Sequence, residues 1–246
     1  LVLLPDFKGK THKKEKSFSA RDRVAPMKTY GFVYVNELGN LIFTQSGIML
    51  KDGRRPKDVF LKQLIKWQYP SNQHKGNSYD DSKWEINPFV FTLRVIEKLD
   101  GITKMELAIF LLVATKETEI KDVVNRIKKF RHIKRNISSK NRKNDFEYKY
   151  FFYVYSKKFH AANKIREGKS GNTNKEKIET KIRNAMDVAD SATRYFRYTG
   201  ILSSRRNKLV FNQQRISDIV EILKNNYFCL NYEDKEKFYK YYGNSK

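Results

Sequence analysis

A single cysteine, Cys229, stands in 246 residues. That excludes a disulfide framework within the chain and a cysteine-built zinc site, and it fits a reducing, intracellular compartment. Histidine is almost as scarce: His12, His74, His132 and His160 lie far apart, without metal-ligand spacing, and read as surface or structural residues. No apolar run is long enough to span a bilayer, and the first residues do not read as a signal peptide. No membrane partner is therefore expected. Acidic residues are also in short supply, with 27 Asp and Glu against 51 Lys and Arg, leaving a net charge of +24. Solubility does not require such an excess, which predicts a polyanionic partner. Aromatic residues make up 14% of the chain, which marks a folded protein rather than a basic disordered tail. The length suits one large domain or two small ones.

The most informative stretch is residues 178–211. Ile178, Ile182, Ala185, Met186, Ala189, Ala192 and Phe196 fall on one stripe of a helix. Arg183, Arg194 and Arg197 lie within about 60° of one another on the other side. Gly200 closes the helix. Ile201-Leu202 and Leu209–Phe211 then flank a basic turn, Ser203–Lys208. A helix followed by a hairpin with a cationic tip is the layout of a winged helix-turn-helix, whose helix enters a major groove and whose tip reaches the backbone or minor groove. The same helix face also fits a solvated salt-bridge ladder, because Arg183–Asp187 and Asp190–Arg194 are i,i+4 pairs.

Upstream, residues 7–29 are basic and irregular. Gly31–Val35 and Leu41–Phe43 read as strands around the turn Asn36–Asn40. Thr44 can cap a short helix running to Leu50. Pro56 opens a helix that turns Phe60, Leu61, Leu64 and Trp67 inward and is stopped by Pro70. Residues 71–83 form a polar loop. Asn87-Pro88 starts a helix carrying Phe89, Val90, Leu93, Ile96 and Leu99, ended by Gly101. Thr103–Glu106 is a capping box ahead of an apolar, buried helix, Leu107–Ala114. A third helix near 118–135 buries Ile120, Val123, Val124, Ile127 and Phe130, and its other face holds Lys121, Arg126, Lys128, Lys129, Arg131 and Lys134. That face is either a binding surface or a solvated one. Residues 136–147 are polar and mark a subdomain boundary; Phe146–Phe159 reads as core. A helix near 213–224 and a Tyr-rich segment to Tyr242 complete the chain.

A weak internal repeat links the halves: Thr29–Phe32 with Leu41–Thr44 parallels Tyr198–Ile201 with Leu209–Asn212. Each is a Gly-led hairpin followed by a helix. The expected fold is mainly α with small β-hairpin wings (α+β), built as two tandem winged helix-turn-helix-like subdomains, residues 1–140 and 141–246. Leu1 and the polar Gly243–Lys246 both read as cuts in a longer protein.

Longer runs carry a resemblance: Phe18–Val33, Arg54–Leu64, Lys66–Ser71, Gln73–Gly76, Lys164–Ser170, Asp187–Asp190 and Thr193–Gly200. Together they resemble the N-terminal DNA-recognition region of the AlwI-like type IIS restriction endonucleases, in particular the MlyI, PleI and BstNBI group and its nicking relatives. The resemblance spans nearly the whole chain. It implies a prokaryotic, cytoplasmic endonuclease reading the asymmetric duplex site GAGTC and cutting to one side. It also implies two recognition subdomains joined to a separate C-terminal nuclease domain, with a small nuclease subunit as a further possible partner. Mg²⁺ is expected for that nuclease domain and no cofactor for this part. A nuclease centre needs carboxylates and a Lys gathered at a strand end. Pro5-Asp6 and the tripeptides at Glu167–Lys169, Glu179–Lys181, Asp81–Lys83 and Glu233–Lys235 do not follow such a strand. No catalytic residue is assigned, and the chain is expected not to cut DNA alone.

Reading GAGTC needs Arg or Lys on guanine, Asn or Gln on adenine, and an acid for cytosine N4. Arg21, Asp22 and Arg23 offer both an acid and two guanidinium groups, or alternatively an internal bridge fixing the N-terminal arm. Lys28 follows them in the same basic segment. Arg54, Arg55 and Lys57 sit at a loop and helix start suited to phosphate. Gln73, His74 and Lys75 occupy a polar loop that is a DNA contact or plain solvent. Arg166 and Lys169 flank Gly168, which permits close backbone approach or simply a linker. Arg183 lies on the long helix, where Arg194 and Arg197 are the preferred groove readers. Arg205, Arg206 and Lys208 are expected on phosphate. A DNA-binding regulator or replication initiator with tandem winged helices and no nuclease is the alternative. An RNA-binding protein is disfavoured by the absence of an RNP-like motif or GXXG loop.

Overall fold

The computed structural model of the chain describes residues 24–71, 84–162, 174–230 and 235–244, and within these only the backbone of 158–162, 174–175 and 235–236. It is mainly helical with small antiparallel hairpins, the expected α+β class. The chain divides into two compact units, residues 1–81 with 229–246, and residues 82–228. The divide therefore does not fall at 140, and the C-terminal segment returns to the first unit. The polar stretch after 136 is not a boundary, because residue 140 opens a 23-residue helix. Phe146 stacks on Phe130 of the preceding helix at 5.3 Å between centroids, so aromatic burial overrides the local polarity.

In the first unit, helix α1 (residues 24–29) ends at Gly31, whose φ of +72° suits glycine. The hairpin β1 (Val33–Val35) and β2 (Leu41–Phe43) follows, with Val33 opposite Phe43 and Val35 opposite Leu41. Thr44 then caps α2 (Gln45–Lys51) by accepting from the Gly47 amide at 3.1 Å. Next comes α3 (Pro56–Lys66), which buries Phe60, Leu61 and Leu64 as its spacing predicts, but stops at Lys66, before Pro70. Trp67 is buried all the same, just beyond the helix. Gln63 is the polar centre of this core. Its amide nitrogen donates to the Tyr30 carbonyl at 2.9 Å and the Tyr242 carbonyl at 2.7 Å, and its oxygen accepts from Ser46 at 3.1 Å.

The second unit is built on α4 (Pro88–Leu99), β3 (Ile102–Thr103) and α5, which begins at Lys104–Glu106 and continues as a π-helical turn, Leu107–Leu111. The expected capping box forms: Thr103 accepts from the Glu106 amide and Glu106 from the Thr103 amide. Helices α6 (Ile120–Arg135), α7 (Lys140–Ala162) and α8 (Asn174–Tyr198) follow. The predicted stripe of α8 is buried at Ile178, Ile182, Ala185, Ala189, Ala192 and Phe196, with Met186 half-buried. The hairpin of β4 (Leu202–Arg205) and β5 (Lys208–Phe211) comes next, then α9 (Ile216–Lys224). β5 is the middle strand of three, paired with β4 on one side and β3 on the other. In the first unit, α10 (Lys235–Tyr242) places Tyr239 in a stack with Tyr34, centroids 4.9 Å apart.

The internal repeat extends to its hydrogen bonds. Phe32 and Ile201 are both buried behind a left-handed glycine. The Thr44 amide donates to the Phe32 carbonyl at 3.0 Å, and the Asn212 amide to the Ile201 carbonyl at 2.9 Å. The Thr44 hydroxyl donates to the Gly31 carbonyl at 2.7 Å, as the Asn212 amide group does to that of Gly200 at 2.8 Å. Each residue then caps the next helical segment, Asn212 through its oxygen on the Gln214 amide. One polar side chain thus closes the hairpin and starts the helix in both units.

Candidate nucleic-acid interface

The α8 helix presents Arg183, Arg194 and Arg197 to solvent because its apolar stripe fixes its rotation. Arg183 and Arg197 have no ion-pair partner among the described residues. Of the two possible rungs of a salt-bridge ladder, only Asp190–Arg194 forms, at 3.3 Å. Asp190 also accepts from Lys104 Nζ at 3.0 Å. The Lys104 ammonium, through that hydrogen bond and its charge, holds the Asp190 carboxyl below the usual carboxylate range. Two cations from different elements are thus gathered over one acid, on the face of α8 expected to meet a groove.

The hairpin beyond α8 is tighter than its sequence suggests. The strands run on to Arg205 and Lys208, which pair directly, and only Arg206 and Asn207 form the turn. Both have positive φ, +49° and +63°, the conformation of a type I′ turn. Arg205 and Arg206 are exposed and Lys208 half-buried, and none has an acidic partner among the described residues. Like charges directly opposite on two strands repel, so the tip favours an anion.

What holds this face together is a clamp behind it. Arg131 on α6 donates from Nε to Glu106 at 2.7 Å and from Nη2 to its other oxygen at 2.8 Å. The same guanidinium donates to the carbonyls of Leu99 at 3.1 Å and Gly101 at 2.6 Å. The pair is bidentate and its acid is buried. It fixes the turn that carries both β3, the partner of the hairpin, and Lys104, the partner of Asp190. Arg131, read from sequence as part of the outer basic face of its helix, is instead turned into this clamp, while Lys104 and the positioning role of Asp190 had no signal of their own in the sequence. The capping box gave a signal for Glu106, but its cation lies 25 residues away and has no local signature.

The other candidates divide. In the first unit Arg54, Arg55 and Lys57 are exposed beside the start of α3, and Arg54 leans on Asp52 at 3.7 Å. Arg55 adopts a left-handed backbone, φ +44°, just before Pro56. Lys28 is half-buried at the end of α1. Arg21, Asp22, Arg23, Gln73, His74, Lys75, Arg166 and Lys169 lie outside the described residues. Among the described residues no three His, Cys, Asp or Glu side chains converge on a metal position, and no helix is long and apolar enough to cross a membrane.

The fold and this face define a mainly helical α+β protein with a helix and cationic hairpin on its surface. Among solved structures it is similar to the BpuJ1 endonuclease binding domain, determined in complex with pyrene- and phenanthrene-modified DNA. The two share 15% identity over 96% of this chain and 80% of that one, with a TM-score of 0.53. No curated protein matches the chain. The chain belongs to the AlwI restriction endonuclease family, whose model matches residues 28–246.

Proposed function

We propose that the chain is the sequence-specific duplex-DNA recognition module of a type IIS restriction endonuclease, with α8 in the major groove and the β4–β5 tip on the adjacent backbone. The observation that carries this is the succession of α8 and hairpin, with Arg194 and Arg197 exposed on the helix and three cations without acidic partners at the tip. The order helix, strand, helix, helix, hairpin, with β3 paired to β5, supports reading this unit as a winged helix in which α6 and α7 are an insertion. Membership of the AlwI family favours this over a regulator without a nuclease, and the DNA complex of the BpuJ1 endonuclease binding domain supports it. GAGTC is the expected site, and a nuclease domain, with a small nuclease subunit, the expected partner in the cytoplasm. The hairpin β1–β2 with α2 supplies a second, related unit, to which Arg54, Arg55 and Lys57 contribute phosphate contacts. Selection from a randomised duplex pool, without divalent metal, tests the specificity: enrichment of GAGTC is expected, and a pool that stays random contradicts it. Incubation of the chain with Mg²⁺ and a GAGTC plasmid should leave the DNA uncut.

A further inference from the structure

From Val123 to Asn144 the chain holds nine Lys and Arg and not one Asp or Glu. Three of the nine have acidic partners: Arg126 with Asp122, Arg131 with Glu106 and Lys134 with Glu147. The other six, Lys128, Lys129, Arg135, Lys140, Arg142 and Lys143, have none among the described residues. All but the half-buried Lys143 are exposed. They surround the elbow where α6 turns into α7. Burial of Val123, Val124, Ile127 and Phe130 fixes which way α6 faces. Lys121, Lys128 and Arg135, seven residues apart, then fall on one outward stripe about 21 Å long. The elbow cannot relax by opening, because Phe130 stacks on Phe146 and meets Tyr150 edge-on at 5.0 Å.

Like charges held together in this way repel unless a polyanion neutralises them. Each strand of duplex DNA carries a charge about every 3.4 Å of helix axis, so a stripe this long covers several phosphates of the backbone it lies against. Four of the six free cations are lysines, which bind phosphate as point charges rather than reading base edges in a fork.

We propose that the α6–α7 elbow is a second DNA surface, separate from the α8–hairpin face, that grips the duplex backbone without regard to sequence. It rests on the DNA-recognition reading above and adds a phosphate contact that lengthens the footprint beyond the bases read. The test replaces Lys128, Arg135, Lys140 and Arg142 by Ala, singly and together, and measures anisotropy on GAGTC and scrambled duplexes across a salt series. Affinity for both duplexes should fall by the same factor, leaving their ratio unchanged. The slope of log K against log salt should shrink by about 0.9 for each contact removed. Circular dichroism and Tm should match the unmodified chain, since the side chains are exposed. An unchanged slope in the quadruple variant overturns the proposal, as does a loss confined to GAGTC, which would mean base reading. Should the unmodified chain show no preference for GAGTC, the specificity reading fails while the slope on scrambled duplex still decides the elbow.

Discussion

Gln63 shows how one residue organises a core. Its side chain is fully buried and satisfies two main-chain carbonyls that no solvent reaches. Gln63→Ala removes both bonds and leaves buried acceptors unpaired, at about 1–3 kcal/mol each. We expect a loss of roughly 2–5 kcal/mol in urea unfolding, with the second unit's binding face unaltered. Gly47 is held for space: a β-carbon there would lie 2.0 Å from the Phe32 carbonyl oxygen, so Gly47→Ala must shift the hairpin. Asp190 bears on the proposed binding face instead. Its carboxyl is held below the ordinary value of 3.8 by Lys104, so the ion pairs persist above that value and are lost only as pH falls through the depressed one. Binding that depends on Lys104 and Arg194 being positioned by Asp190 should therefore be flat from pH 5 to 8. Asp190→Asn should free both cations, raising affinity for scrambled duplex while lowering discrimination, as read by competition titration. Glu117 has the opposite sign. Burial raises its carboxyl above the ordinary 4.5, against the pull of the Asn87 amide and Arg94. Its contribution to stability is present below about that value and lost as pH rises through the raised one, an upward shift that carbon-detected NMR titration of Glu117 checks.

At the scale of elements, the Arg131–Glu106 clamp joins α6 to the turn that supports the hairpin. Removing one partner of a buried ion pair costs about 3–5 kcal/mol, so Arg131→Ala should lower stability by that order in denaturant titration. Arg131→Lys should restore little of it, because a point charge cannot reproduce the bidentate fork and the bonds to Leu99 and Gly101. Much at this scale was legible in the sequence. The capping box at Thr103, the Pro88 helix and the apolar stripe of α8 are set by neighbours within one or two turns, and their periodicity is local. The glycine-led repeat was visible for the same reason, since only glycine adopts the left-handed turn without cost at positions 31 and 200. The Arg131 clamp and the Lys104–Asp190 pair were not legible, because each joins residues at least 25 positions apart that carry no pattern of their own. The start of α7 was misread for a related reason. Its polar first turns look like a linker, but long-range contacts anchor them as helix, among them Phe146 on Phe130 and Glu147 with Lys134.

At the scale of the whole molecule, the excess of cations is not spread evenly. Among the described residues, cations without acidic partners gather on α8 (Arg183 and Arg197), at the hairpin tip and around the α6–α7 elbow. That distribution is what a reader of a long polyanion requires, with base contacts on one helix and phosphate contacts around it. The division into two units also matters here, since the returning C-terminal segment makes the first unit depend on both ends of the described chain. Tyr242 donates to the Thr29 carbonyl at 2.7 Å and Gln63 donates to the Tyr242 carbonyl. Truncation before Lys235 should accordingly unfold the first unit, seen as loss of its thermal transition, while residues 82–228 keep theirs. On the proposed function, this chain reads a duplex sequence rather than merely its charge. Fluorescence anisotropy with a GAGTC duplex and a scrambled one, across a salt series without divalent metal, tests it most directly. A preference of roughly 10³-fold or more that survives physiological salt is expected. Equal affinities that collapse together as salt rises would contradict it, leaving counterion release as the whole of the binding.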